Sequence, residues 1–182
     1  MSVMTTLPWG RELTVEDLDR LPDDGHRYEL INGALVVTPA PRRPHQVAVV
    51  ELLYLLRSLV PAGLSVLVAP FDVRLNQRTN LQPDLLVCRE ADLSEANLPV
   101  APLLAVEVLS PSTRHIDLGL KRSAYEFLGM PSYWVVDPDE PSITVWEMHE
   151  GAHVEVGRAV GDEALDLARP FAVRVVPGEL VS

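Results

Sequence analysis

Three residues spaced along the middle of the chain could do chemistry together. Asp84 follows Pro83 and opens the apolar run Leu85-Leu86-Val87-Cys88. Glu107 lies between Val106 and Val108, inside a second run that begins at Leu103. Lys121 follows 14 residues later and is the only lysine in a chain whose other 14 basic residues are all arginine. Apolar runs of this length, bounded by Pro, Asn and Ser, read as buried strands. An ionised acid there needs a partner, a metal or a raised pKa. Two acids on neighbouring strands, aimed at one edge, make a hard-oxygen site suited to a divalent cation. A compact ammonium beside them can act as a point charge on a phosphate or an attacking water, a task guanidinium does less well. The bland alternative is a lysine on a solvated helix face, paired weakly with Asp117.

The elements that must position these residues can be read from the flanking sequence. Thr14-Val-Glu-Asp17 resembles a capping box and predicts a short helix to about Leu21. Tyr28–Ile31 and Ala34–Thr38 flank Asn32-Gly33, the signature of a type I′ hairpin. Strand alternation sets Glu29 and Ile31 on one face, Tyr28 and Leu30 on the other. From this alone Glu29 is a site acid or a solvent-facing one. A helix is predicted from His45 to Val60, with Val49, Leu52, Leu53, Leu56 and Leu59 inward. Strands are expected at 65–69 and 71–75, broken by Pro70, with 76–80 as a turn leading to Gln82. Gln82 either orients a ligand or simply ends that loop. Residues 90–99 read as a solvated acidic loop without a calcium-loop pattern.

After the polar turn 110–113, a helix is expected over 116–128, closed by Gly129 and Pro131. Asp117, Lys121 and Tyr125 fall on one stripe, and Ile116, Leu120, Ala124 and Phe127 on the next. The expectation is that the apolar stripe lies on the sheet and Lys121 sits at its margin. Tyr133–Asp137 is a further buried strand, Asp137 being a turn acid, and 143–157 forms a late hairpin. The remainder, 161–182, reads as a short strand and a loosely defined end.

Pro83-Asp84, the strand ending Glu107-Val-Leu-Ser-Pro-Ser-Thr, the helix Asp117-x-x-x-Lys121-x-x-x-Tyr125 and the run Gly129-Met-Pro-Ser-Tyr-Trp-Val-Val-Asp-Pro resemble the Uma-type putative restriction endonuclease family, within the PD-(D/E)XK nuclease superfamily. The resemblance spans about 14–147. It implies an α/β (α+β) restriction endonuclease-like core: a mixed sheet flanked by helices, with an N-terminal hairpin and a C-terminal hairpin extension. It also implies endonuclease chemistry with Mg²⁺ or Mn²⁺. Asp84 and Glu107 would be metal ligands, and Glu29 and Lys121 would complete the catalytic set. The superfamily lysine two residues after the acid is absent, because Leu109 stands there; the resemblance implies that Lys121 has taken its place. His45, where the family commonly has a histidine, would face substrate; a solvated helix-start histidine is the alternative. Gln82, Arg114 and Tyr125 are further candidates for substrate contact.

Length and composition set the bounds. A chain of 182 residues is expected to form a single domain, 1–182, with a core at about 14–147 and a loose tail at 1–13. The lone Cys88 permits no internal disulfide and fits a reducing cytoplasm. No signal peptide is expected from 1–10, which has neither a basic start nor an apolar core, and no apolar run approaches the length a membrane span requires. Homodimers are a reasonable expectation. The net charge of −11 opposes phosphate, so the nucleic-acid partner, DNA rather than RNA, is expected to bind weakly to the isolated protein. Two rival readings stay open: a non-catalytic nucleic-acid or protein-binding module on a nuclease scaffold, and a structural protein dimerising through the late hairpin.

Overall fold

The computed structural model describes residues 11–22, 24–111 and 114–181. Residues 1–10 of the expected tail, and Ser112 and Thr113 in the predicted turn, lie outside the described residues. Of the tail, Leu13 is buried and its N–H donates to the Gly33 carbonyl. The capping box forms as read: Asp17 accepts from the Thr14 N–H and hydroxyl and starts helix α1 (Val15–Leu18), which is shorter than expected.

Strands β1 (Arg27–Ile31) and β2 (Ala34–Thr38) form the predicted hairpin. Asn32 and Gly33 both take positive φ, 50° and 83°, as a type I′ turn demands. A Cβ on Gly33 would also stand 2.6 Å from the Glu12 Cβ, so glycine is required there twice over. Helix α2 (Arg43–Leu59) follows, then β3 (Leu64–Val68), β4 (Asp72–Asn76), β5 (Thr79–Leu81), β6 (Leu85–Arg89) and β7 (Asn97–Leu98). β5 lies where sequence reading expects only a turn. It is fully buried between β1 and β4, and those neighbours supply the pairing that three residues cannot secure alone.

β8 (Leu104–Val108) leads through a π-helical turn (Ile116–Lys121) into α3 (Arg122–Phe127), which ends at Gly129 with φ 72°. β9 (Ser132–Asp137), β10 (Ser142–His149), β11 (Ala152–Val160), β12 (Leu165–Leu167) and β13 (Val173–Val175) complete the chain. The C-terminal stretch is not loose: Leu167, Val173, Val175 and Leu180 belong to the main core.

Two mixed sheets carry the fold, which is of the expected α/β kind. One has the order β2-β1-β5-β4-β7, the other β11-β10-β9-β8-β6-β3. In the larger sheet β8 runs parallel to β9 and the remaining pairs are antiparallel. Its central strands β6, β8 and β9 are buried on both faces, hence their unbroken apolar runs. Leu85, Val87, Leu104, Val106, Trp134 and Val136 pack under Ala48, Val49, Leu52 and Leu56 of α2; Leu59, expected on that stripe, is exposed. Leu86, Ala105, Tyr133 and Val135 face the other way, against α3 and against Ile31, Val73 and Leu81 of the smaller sheet. Among the described residues no helix is long and apolar enough to cross a membrane.

Candidate active site

Period-two alternation places Asp84 and Glu107 on the same face of the larger sheet, the face turned toward the smaller one. β6 pairs β8 with Leu85 opposite Val106, and one more residue of that register brings Asp84 opposite Glu107. Glu29 enters from β1 across the gap, on the same side of its strand as the core residue Ile31. All three acids are buried, Glu29 completely and Glu107 to 1 % exposure.

The π-helical turn and α3 bring Asp117, Lys121 and Tyr125 to this point, and all three are buried. Here the expected orientation holds only in part: Ala124 is buried and Ile116 packs against the core, as expected. The polar stripe faces the sheet, whereas Leu120 and Phe127 of the apolar stripe are 44 % and 81 % exposed. Lys121 is therefore central rather than marginal. Its Nζ lies 2.8 Å from Glu29 Oε2, 3.0 Å from Glu107 Oε1 and 3.8 Å from Asp117 Oδ1. The contact with Glu29 Oε2 is a close ion pair, although that oxygen receives no well-aligned hydrogen bond. The Tyr125 hydroxyl donates to Glu107 Oε1 at 2.7 Å, and Glu29 Oε1 accepts from the Gln82 backbone N–H at 2.8 Å.

Asp84 is held from three sides. Oδ2 takes the Val108 N–H at 2.9 Å and stands 3.1 Å from His45 Nε2; Oδ1 takes an N–H of Arg27 at 2.8 Å. His45 is thus a buried partner of Asp84, not a solvated helix-start residue. Arg27 is a site residue that sequence reading overlooks. The signal was there, since Arg27 and Glu29 alternate onto one face of β1.

The electrostatics follow from burial and pairing. Burial opposes ionisation of Asp84, but the His45 hydrogen bond and the charges of Arg27 and Lys121 hold its carboxyl well below the usual range. Glu107 is pushed well above it, first by burial, against the pull of Lys121, and further by Asp84, Asp117 and Glu29. Lys121 pays for its burial by gaining three carboxylates, which raise its pKa. Burial, with Glu107 next to it, raises Tyr125, which stays a neutral donor.

A cavity of about 880 Å³ opens over this cluster. Asp84, Glu107, Asp117, Arg27, His45 and Gln82 are among the residues that line it. Gln82 donates through its side-chain amide to Asp72 at 2.7 Å, and the oxygen of that amide, Oε1, is buried without a partner. Glu29, Lys121 and Tyr125 stand behind the wall. Arg114 lies away from the cavity and pairs with Asp137, the turn acid, which also takes the N–H groups of Asp139 and Glu140.

The donor chemistry fits a hard divalent cation. Glu29, Asp84, Glu107 and Asp117 gather four carboxyl groups, hard oxygen donors, around Lys121 and Arg27. Among the described residues no three His, Cys, Asp or Glu side chains already stand as a ready ligand group. The oxygens are turned to Lys121, Arg27 and His45 instead.

The fold has a known counterpart. A putative nuclease belonging to DUF820 from Anabaena variabilis, known from a crystal structure, superposes with a TM-score of 0.73 at 19 % identity, covering 93 % of this chain and 97 % of that one. The chain also matches the Uma2 family, described as "Putative restriction endonuclease", over residues 15–176, and it belongs to that family. No curated protein matches it.

Proposed function

We propose that the chain is a metal-dependent nuclease that hydrolyses phosphodiester bonds of nucleic acid, DNA before RNA. One observation carries the reading: Glu29 of β1, Glu107 of β8 and Asp117 of the π-helical turn meet one buried lysine, and Asp84 stands beside Glu107 in the wall of a cavity. Family membership supports the same chemistry. Asp84 and Glu107 would hold Mg²⁺ or Mn²⁺, which when bound polarises a phosphate oxygen and lowers the pKa of a water. Lys121 supplies positive charge from behind, offsetting what develops on the phosphate and keeping Glu29 and Glu107 turned inward. Tyr125 and His45 fix the orientation of Glu107 and Asp84, so the carboxylates wait in place.

A second reading is favoured by one feature. Each acid already has a protein partner, as a non-catalytic module on the same scaffold would require. Incubation of supercoiled plasmid and of single-stranded DNA with Mg²⁺ or Mn²⁺ separates the two. The first reading expects nicking by wild type and none by Asp84→Asn or Lys121→Ala. Intact substrates under every metal would leave only the module.

A further inference from the structure

The acid cluster holds two cations, and they are differently placed. Lys121 is 2 % exposed, stands behind the wall and has three carboxylates within 3.8 Å. Its positive charge is fully engaged. Arg27 lines the cavity, is 21 % exposed, and spends one N–H on Asp84 Oδ1 while its buried Nε–H has no partner. Two other arginines of the cavity wall are already committed: Arg74 pairs with Asp19 and Asp72, and Arg42 with Asp139.

The two oxygens of Asp84 differ as well. Oδ2 holds His45 and the Val108 N–H, both rigidly positioned by α2 and β8. Oδ1 holds Arg27 alone. The oxygen that Asp84 can offer to a cation is therefore the one Arg27 occupies. A guanidinium and a divalent cation on one oxygen repel each other, so Arg27 must give way when that oxygen is used.

We propose that Arg27 is the substrate-binding cation of this site, an internal counter-ion that leaves Asp84 Oδ1 and turns its fork onto the phosphate of the bound strand. The inference rests on the nuclease reading above and adds a residue, a contact and an exchange to it. The exchange couples the two ligands: Arg27 is released to phosphate only when Asp84 has another positive partner. The planar fork suits two phosphate oxygens at once, and the unpartnered Nε–H lies on the edge that would make the second bond. It also answers the problem of net charge, since the positive charge needed at the phosphate is stored against an acid of the site.

The test uses two binding measurements on the full chain. Mn²⁺ alone is titrated by calorimetry, and a fluorescein-labelled 15-nucleotide DNA strand by anisotropy in Ca²⁺. In Arg27→Gln, Mn²⁺ is expected to bind several-fold tighter, because its competitor is gone, while the strand binds about tenfold weaker. Arg27→Lys keeps the counter-charge on Asp84 and guards against misfolding; it should restore wild-type Mn²⁺ affinity and recover only part of the strand affinity. Loss of both affinities in Arg27→Gln, with Arg27→Lys equal to wild type in both, would make Arg27 a structural prop and overturn the proposal. So would unchanged strand binding in Arg27→Gln. Wild type that binds neither Mn²⁺ nor the strand would remove the nuclease reading itself, a distinct result.

Discussion

Two helices lie on opposite faces of the larger sheet, and they follow opposite rules. α2 turns Ala48, Val49, Leu52 and Leu56 to the sheet, as an amphipathic helix in water should. The π-helical turn and α3 turn Asp117, Lys121 and Tyr125 inward and leave Leu118, Leu120 and Phe127 in solvent. The first arrangement gains stability from apolar burial. The second bears the desolvation of at least four ionised or polar groups and recovers it only through mutual pairing. A wider helical turn of this kind is a frequent companion of functional sites, and Gly119 at its centre weakens the α-helical preference locally. The difference separates a face held by apolar burial from one held by charge pairing.

That contrast can be broken by substitution. The largest effect should come from Lys121→Met, which strands Glu29, Glu107 and Asp117 together without their common cation. A loss of about 3–5 kcal/mol in urea unfolding is expected, the size seen when one partner of a buried ion pair is removed. A loss no greater than that of an exposed lysine would mean the cluster contributes nothing to holding α3. Leu56→Ala in α2 should cost about 3 kcal/mol through the cavity it leaves, and its cost should not vary with pH, since no titratable group is involved. By contrast, Phe127→Ser should move stability by no more than about 0.5 kcal/mol despite removing a large apolar side chain. A large destabilisation there would show that the apolar stripe of α3 is covered after all.

The smallest effect serves as a reference outside both helices. Asp17 is held at a pKa of about 2, against an ordinary 3.8, by its hydrogen bond from Arg11 and by the Thr14 N–H. A depressed carboxylate pKa stabilises the fold above pH 3.8, and the contribution fades as pH falls through 2. Asp17→Asn should therefore melt slightly below wild type at pH 6, and the gap should close toward pH 2. A gap that persists unchanged at pH 2 would assign the effect to packing.

What the chain reveals on its own divides along the same line. Asp84 and Glu107 were legible because acids in apolar strands are expensive, and Lys121 because it is unique in the sequence. The hairpin at Asn32-Gly33 and the span of α2 were legible from turn chemistry and period. The inward turn of Asp117, Lys121 and Tyr125, with Leu120 and Phe127 left outside, was not, because periodicity assumes that the whole apolar stripe is the buried one, and a network of charges displaced half of it. β5 escaped because Thr79-Asn-Leu is too short to show a period and owes its place to neighbours far away in sequence. Arg27, and the pairing of His45 with Asp84, escaped for a related reason: each is an ordinary polar residue until tertiary structure brings Asp84 to it. The end of the chain, 161–182, looked loose because its core residues, Leu167, Val173, Val175 and Leu180, are separated by charged and proline-rich segments.

The central claim is that the buried acids form one cation site. Thermal unfolding with and without millimolar Mn²⁺, on wild type and on Asp84→Asn, tests it most directly. The account predicts that Mn²⁺ raises the wild-type melting temperature by several degrees and leaves the variant where it was. An equal rise in both proteins, or none in wild type, would contradict it.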